Sequence, residues 1–284
     1  LSKATPLLTR IYPNGQADIN HFHRAGGMAF LIRTLLEGGF LHEDVSTIMG
    51  FGLNHYTKTP VLEEGRLSWG EGSECSKDPD VLTSVTNPFK ANGGLSVLSG
   101  NLGRAVMKTS ALKKGKHSIL APAEVFTSQE ELECAFKAGQ LNKDCVAVVR
   151  FQGPKACGMP ELHRLTPMLG VLQDKGFNIG LITDGRMSGA SGKVPAAIHL
   201  TPEACDGGVL AKIRTGDRVL MDWEQGILEL QVADSELDSR DAAVFHDLKP
   251  FGTGRTLFAG MRGMLNSAEQ GACSLLANQA QLYE

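Results

Sequence analysis

The sequence has 284 residues, of which 42% are hydrophobic and 21% charged, and its formal net charge is -3. Such a composition is ordinary for a globular protein, and the length suffices for one large domain or two smaller ones. The slightly negative charge gives no sign of nucleic-acid binding, and no apolar run approaches the ~20 residues that a membrane helix needs. We find no signal-peptide pattern. We therefore expect a cytoplasmic protein with no nucleic-acid or membrane partner.

The cysteine pattern also indicates a cytoplasmic protein. None of the six cysteines belongs to a C-x-x-C pair, so a zinc ribbon or a thioredoxin-type motif is not indicated. An even count in a chain this long does not imply a disulfide framework, and we expect free thiols in a reducing compartment. The cysteines are Cys75, Cys134, Cys145, Cys157, Cys205 and Cys273.

The first 60 residues predict a helical segment. Apolar residues at helical spacing run from Asp18, a plausible cap, to Gly38-Gly39, and a second short helix is predicted over 41–49. The stretch 50–80 is rich in Gly, Ser, Glu and Pro, which is typical of an exposed connection. We predict three parts: a helical segment over 1–60, a linker over 61–80, and a larger domain over 81–284.

A polar group lies inside the first predicted helix. His21, His23 and Arg24 come just before Gly26-Gly27. Two histidines at i, i+2 do not share a helix face, so a metal pair is not indicated. The group is interpreted either as ordinary polar residues at a helix start or as an anion-facing helix end.

Beyond residue 81, short strand-like runs outnumber helices. The strongest strand is predicted over 145–151, an amphipathic helix begins at Ser128, and two strands around a turn are predicted between 214 and 232. The tail from Arg255 is predicted to be helical. This pattern indicates an α/β fold with a barrel-like mixed sheet and surrounding helices, preceded by the helical segment.

One loop carries an unusual density of functional residue types. The predicted strand Ile179–Ile182 ends in a turn, and the chain continues as DGRMSGASGK over 184–193. Glycines allow a backbone to approach a ligand closely, and serines among cations and N–H groups suit an anionic substrate. A simple connection explains the same composition. The spacing fits neither a P-loop nor the G-x-G-x-x-G dinucleotide motif.

Longer blocks resemble a known enzyme family. They are VVRFQGPKACGMPELHRLTPML over 148–169, LITDGRMSGASGKVPAAIHLTPEA over 181–204, FHRAGGMAFLIRTLLEGGFLHED, TNPFKANGGLSVLSGNLG and APAEVFTSQEE. In this order they resemble the dehydratase family that contains dihydroxy-acid, sugar-acid and 6-phosphogluconate dehydratases. YPNGQADINHFHRAGG, SGASGKVPAAIH and LFAGMRGMLNSAEQGA are most similar to the branch that acts on 6-phosphogluconate.

The resemblance maps onto the C-terminal half of the family. It implies a hydro-lyase that converts 6-phospho-D-gluconate to 2-dehydro-3-deoxy-6-phosphogluconate in the Entner–Doudoroff pathway. It also implies an iron–sulfur cluster, of the 4Fe-4S type, and a Mg²⁺ or Mn²⁺ ion. The cluster is expected to be bound mainly by an N-terminal half that precedes this sequence, with no cluster ligand in this chain. Family members are oligomeric, so a homodimer is expected.

The resemblance also assigns roles to single residues. Glu161 is similar to the family's metal-binding glutamate, and Ser188 to the serine proposed as the base that removes the C2 proton. From the residues themselves, Ser191 and Lys193 are candidates for the phosphate end of the substrate, with His23 in a second group.

Asp184 and Arg186 precede Ser188 in the same loop. They are predicted mainly to brace the loop, and Arg186 is also a candidate for substrate contact.

Two other functions remain open at this level. One is a dehydratase of an unphosphorylated sugar acid or dihydroxy acid in the same family. The other is a non-catalytic binding domain, which is favoured if the 284 residues are the complete native chain. We expect the 284-residue chain alone to be inactive.

Overall fold

The computed structural model describes residues 1–112, 115–187, 192–246 and 251–275. Its contacts divide the chain into two compact units, Leu1–Leu95 and Ser96–Glu284. Within the described ranges, no helix is both long and apolar enough to cross a lipid bilayer.

The first unit combines two helices with two small hairpins. Its elements are α1 (Ile19–Ala25), α2 (Gly27–Glu37), β1 (Ser46–Thr47), β2 (Gly50–Phe51), a 3₁₀ turn (Asn54–Thr57), β3 (Lys58–Glu63) and β4 (Arg66–Glu71). The predicted cap is confirmed, because the Asp18 carboxylate accepts the N–H groups of Asn20 and His21 at 2.9 and 3.0 Å. The helix is broken at Gly26, whose φ of 138° is incompatible with a continuous helix.

One prediction for this unit is wrong. Residues 41–49 do not form a helix, since β1 pairs with β2 in a tight hairpin, and the Thr47 hydroxyl donates to the Gly50 carbonyl at 2.7 Å. A side chain that bonds locally to the backbone competes with helix formation, which explains the difference. The stretch 50–80, predicted to be an exposed connection, contains the hairpin β3–β4, whose residues are mostly exposed.

The second unit is built on a closed barrel of eight strands, which confirms the predicted fold class. Neighbouring strands follow the order β10-β6-β5-β12-β11-β7-β8-β9. The strands are β5 (Leu95–Gly100), β6 (Gly103–Lys108), β7 (Ser118–Phe126), β8 (Cys145–Val149), β9 (Ile179–Thr183), β10 (Ala196–Thr201), β11 (Arg218–Asp222) and β12 (Ile227–Leu230).

Helices lie between and after the barrel strands, and α3 and α5 pack against β8 and β9. They are α3 (Gln129–Lys137), α4 (Pro154–Cys157), α5 (Leu165–Asp174), α6 (Asp234–Ser239), α7 (Thr253–Leu257) and α8 (Ala259–Gly263). The predicted cap of α3 is confirmed, because the Ser128 hydroxyl accepts the Glu131 N–H at 3.1 Å. The helical prediction for the tail is confirmed for α8 and for most of α7.

The barrel strands explain the unbroken apolar runs in the sequence. In β8, Val146 and Val148 point into the barrel core, and Cys145, Ala147 and Val149 join the second core between the barrel and helices α3 and α5. A strand buried on both faces reads as a continuous hydrophobic stretch.

Candidate active site

Four barrel strands run parallel to one another, which brings their carboxyl ends to one edge. β7 pairs with β8, β8 with β9, and β9 with β10, all in parallel register. The loops that follow β8, β9 and β10 therefore meet at this edge, which we call the carboxyl edge. In parallel sheets the ends of the strands are the usual location of binding sites.

Asp184, directly after β9, ties the three loops together. Its side chain is fully buried. One carboxylate oxygen accepts the Gln152 N–H at 2.8 Å, and the other accepts those of Phe151 and Ala204 at 3.2 and 3.0 Å. Burial raises the pKa of Asp184, and the three donated hydrogen bonds oppose that rise. Asp184 thus braces the edge, as predicted from its place in the turn.

Two non-glycine residues at this edge have left-handed backbones. Phe151 has a φ of 62° and His199 a φ of 57°. Such values are uncommon for bulky residues and persist only where the surroundings hold them. The Phe151 N–H is held by Asp184, and the His199 N–H donates to the Gly185 carbonyl at 2.9 Å. Strain of this kind often accompanies functional sites.

Glu161 and Arg186 are brought side by side. They form a parallel β-bridge, the Leu162 N–H donates to the Arg186 carbonyl at 3.0 Å, and the Arg186 side chain donates to the Met159 carbonyl at 3.0 Å. The loop before α5 and the loop after β9 are therefore joined through their backbones. This pairing links two sequence blocks that lie 25 residues apart.

Two further residues belong to this group, and sequence reasoning missed both. Lys108, at the end of β6, interacts electrostatically with Glu161. His199, in β10, interacts with Arg186 and Lys108. His199 is the one titratable residue of β10, and Lys108 ends the apolar run 105–107, and these exceptions to the apolar pattern were the available signal.

The surroundings shift the pKa values of these two groups downward. Burial lowers the pKa of Lys108, and the Glu161 carboxylate opposes that shift. Burial is also the main cause that lowers the pKa of His199, and the cations Arg186 and Lys108 lower it further. His199 is therefore a neutral imidazole at neutral pH, beside two cations and one carboxylate.

The remaining predicted residues do not join this group in the described structure. Ser188 and Ser191 lie outside the described residues. Lys193 lines a cavity of about 140 Å³ with Lys116, Gln173 and Phe177. Gly176 and Pro195, which also line it, come shortly before β9 and β10 in the chain. His23 is exposed on α1 in the other unit.

The described side chains do not by themselves form a metal centre. Within the four described ranges, no group of three or more His, Cys, Asp or Glu residues could hold a metal ion. Burial raises the pKa values of Cys145 and Cys157 to about 11 and that of Cys205 to about 12, so these thiols are protonated at neutral pH.

A second buried carboxyl lies under the carboxyl edge. Glu203, after β10, is only 4% exposed, and its Oε1 accepts the Lys155 N–H at 3.0 Å. Its Oε2 has no hydrogen-bond partner among the described atoms. Burial raises the pKa of Glu203, the carboxylates Asp184 and Asp206 raise it further, and the Lys155 N–H opposes the shift.

This raised pKa predicts a pH dependence of stability. The folded state binds more protons at Glu203 than the unfolded state does, so the free energy of unfolding falls as pH rises from the unfolded to the folded pKa. We expect Glu203→Gln to flatten this decline in denaturant unfolding measured between pH 4 and pH 7. The exposed Glu229→Gln is the control. Equal slopes for wild type and Glu203→Gln would contradict the assignment.

Family models match both parts of the chain. The model described as dihydroxy-acid/6-phosphogluconate dehydratase C-terminal covers residues 80–272, and the corresponding N-terminal model covers residues 1–56. The parallel strand ends and the polar group around Glu161 lie in the C-terminal match. The chain belongs to the dihydroxy-acid/6-phosphogluconate dehydratase family.

Individual relatives agree with this assignment. The chain is 58% identical over 274 residues to a phosphogluconate dehydratase of Pseudomonas aeruginosa, with coverage of 96% of this chain and 45% of the relative. It is 57% identical to the phosphogluconate dehydratase of Escherichia coli K12 at the same coverage. It is 35% identical over 248 residues to a dihydroxy-acid dehydratase of Carboxydothermus hydrogenoformans, with coverage of 85% and 41%. The chain thus spans about half the length of these relatives.

Proposed function

We propose that this chain supplies part of the active site of a hydro-lyase that dehydrates 6-phospho-D-gluconate to 2-dehydro-3-deoxy-6-phosphogluconate. The observation that carries the proposal is the joining of Glu161 to the loop after β9, with Lys108 and His199 beside them. The substrate is favoured by two phosphogluconate dehydratases that are 58% and 57% identical to the chain. The same names favour a place in gluconate metabolism, by the Entner–Doudoroff route.

The reaction needs a base at C2 and a way to release hydroxide from C3. Removal of the C2 proton moves negative charge onto the substrate carboxylate, and loss of the C3 hydroxyl as water leaves an enol that tautomerises to the 2-oxo acid. Fixed cations beside the carboxylate stabilise that charge as it develops. Lys108 and Arg186 are two cations that act on His199, and we assign them this role.

We assign the C2 proton to Ser188, two residues after Arg186. A serine hydroxyl is a weak base, so its alkoxide must be stabilised by nearby positive charge. Arg186 and Lys108 supply such charge, and neutral His199 is available to accept a proton from the hydroxyl. These assignments make the loop after β9 the base-bearing side of the site.

The implied metal and cluster need ligands beyond the described residues. A Mg²⁺ or Mn²⁺ ion would supply a second positive charge for the substrate carboxylate, and Glu161 offers one hard oxygen ligand for it. A single carboxylate flanked by two cations does not hold such an ion alone. We propose that the ligands of the implied iron–sulfur cluster lie in the additional length of the relatives, and none of the residue roles given above depends on the cluster. We propose that the additional length of the relatives corresponds to the partner segment that completes the site.

The substrate assignment is tested by turnover in an enzyme that contains this chain. We expect 2-oxo acid formation from 6-phosphogluconate with a kcat/KM about 10- to 150-fold above that for gluconate, since a charge-assisted contact to the phosphate is worth about 1.5–3 kcal/mol. Equal use of gluconate would favour the unphosphorylated-acid alternative. No turnover of either acid, in a preparation with intact cofactors, would contradict the proposed function.

The same assay tests Lys193 as a phosphate contact. In Lys193→Ala we expect the KM for 6-phosphogluconate to rise about tenfold while kcat stays within twofold, because a point charge on the phosphate acts on binding. An unchanged KM would remove Lys193 from the site, and Ser191 and His23 would remain as candidates for the phosphate end.

A further inference from the structure

Strand β10 is interrupted by a β-bulge near its carboxyl end. Its pairs with β6 on the two sides of the interruption are Ile198 with Val106 and Thr201 with Arg104. Between these pairs β10 has two residues, 199 and 200, whereas β6 has one. Two residues opposite one define a bulge, and the first of them, His199, has a left-handed φ of 57°.

The bulge decides which side chain of β10 enters the barrel core. Ala197 and Leu200 belong to the barrel core, and Ala196 and Ile198 belong to the second core against helices α3 and α5. Side chains alternate along a regular strand, so without the bulge His199 would share the barrel side with Ala197. The extra residue places Leu200 there instead, and the imidazole of His199 is left half-buried.

The backbone of the bulge also holds the loop after β9. The His199 N–H donates to the Gly185 carbonyl at 2.9 Å, and Gly185 comes three residues before Ser188 in the sequence. The His199 carbonyl accepts the Thr201 hydroxyl at 3.2 Å. Both backbone polar groups of His199 are therefore bonded, and the N–H joins β10 to the base-bearing loop.

A histidine at the first position of such a bulge is unusual. Glycine is the ordinary residue there, because it adopts a left-handed backbone without a steric cost. The histidine instead brings an imidazole that interacts with Arg186 and Lys108. Backbone strain that the surroundings maintain is a sign of a functional position.

We propose that His199 is a positioning residue of the dehydration, acting through its left-handed backbone. The bulge N–H fixes Gly185 and thereby the loop that carries Ser188 at the carboxyl edge. This inference rests on the proposed function. It is separate from any role of the imidazole as a proton acceptor, because another residue that adopts the left-handed backbone keeps the same N–H contact.

Three substitutions remove the imidazole and differ in their backbone preference. Asparagine and glycine adopt left-handed backbones readily, whereas the branched side chain of valine resists them and favours a regular strand. In an enzyme that contains this chain, we expect His199→Asn and His199→Gly to have a kcat for 6-phosphogluconate at least about tenfold above that of His199→Val. The KM values of the three variants should agree within about threefold, because the loop position acts on the chemical step.

Glu229 is the matched control position in the same barrel. It is exposed in β12, where it pairs in regular register with Leu220. Glu229→Asn, Glu229→Gly and Glu229→Val should each keep kcat within about twofold of wild type, because the side chain is a solvated strand residue. All kcat values are measured per folded enzyme, so that a loss of stability alone does not lower them.

Urea unfolding of the 284-residue chain tests the bulge without any activity. At position 229 the valine variant should have the highest urea midpoint of the three, since valine suits an ordinary strand. At position 199 the order should be reversed, with His199→Val the lowest, since valine opposes the left-handed backbone. A highest midpoint for His199→Val would show that the bulge is not required and would overturn the inference.

The kinetic outcomes separate this inference from the proposed function. Equal kcat values for His199→Asn, His199→Gly and His199→Val, with normal turnover by wild type, would overturn the positioning role and leave the proposed function intact. A difference in the urea midpoints alone would mean that the bulge is purely structural and would overturn it as well. No turnover of 6-phosphogluconate or gluconate by wild type would overturn both.

Discussion

Ser188→Ala is expected to reduce kcat by about 10³-fold in an enzyme that contains this chain, because the positioned base for the C2 proton is lost. The KM should change little, since the substituted hydroxyl acts on the transition state rather than on binding. The assay is 2-oxo acid formation from 6-phosphogluconate under saturating conditions.

The control for this prediction is chosen from the same barrel unit. Ser239, at the end of α6, is exposed and donates its hydroxyl to the Glu236 carbonyl within its own helix. Ser239→Ala should keep kcat within twofold. Iron content and metal content should be equal in wild type and in Ser188→Ala. Near-normal kcat in Ser188→Ala would exclude Ser188 as the base.

Asp184→Asn is expected to cost about 2–4 kcal/mol of stability, the largest loss that we predict for a conservative substitution here. The wild-type carboxylate accepts three backbone N–H groups from two loops. An asparagine side chain offers one accepting oxygen and turns an NH₂ group toward backbone donors. At least one buried N–H then loses its partner, and the loops after β8 and β10 lose their common anchor.

This effect is measured by urea unfolding of the barrel unit. The chain has two tryptophans, and Trp223 is 8% exposed in the barrel core. In a Trp69→Phe background, its fluorescence reports the barrel unit. Asp174→Asn, at the exposed end of α5, should shift the urea midpoint very little. A midpoint for Asp184→Asn close to that of Asp174→Asn would show that Asp184 does not brace the edge.

The barrel could be predicted from the sequence because its strands carry a strong local pattern. The runs at 145–149 and 179–183 are apolar at every position because both faces are buried. Capping side chains at Asp18 and Ser128 marked helix starts correctly. The segment 41–49 was mispredicted because its local side-chain to backbone bonds outweigh its apolar spacing.

The site was only partly predictable, for a geometric reason. Glu161 and the 184–193 loop were recognised from their sequence blocks. Lys108 precedes Glu161 by 53 positions, and His199 follows Arg186 by 13, so only the closed barrel brings them to the same place. The left-handed backbone of His199 cannot be read from residue type.

The central claim is that the loop after β9 removes the C2 proton of a 2,3-dihydroxy acid. The most direct measurement uses 6-phosphogluconate carrying deuterium at C2, with wild type and Ser188→Ala in an enzyme that contains this chain. We predict that wild type forms the 2-oxo acid with loss of the C2 deuterium. Ser188→Ala should bind the labelled substrate yet neither form product nor release the label to solvent. Release of the C2 deuterium by Ser188→Ala at the wild-type rate would contradict the claim.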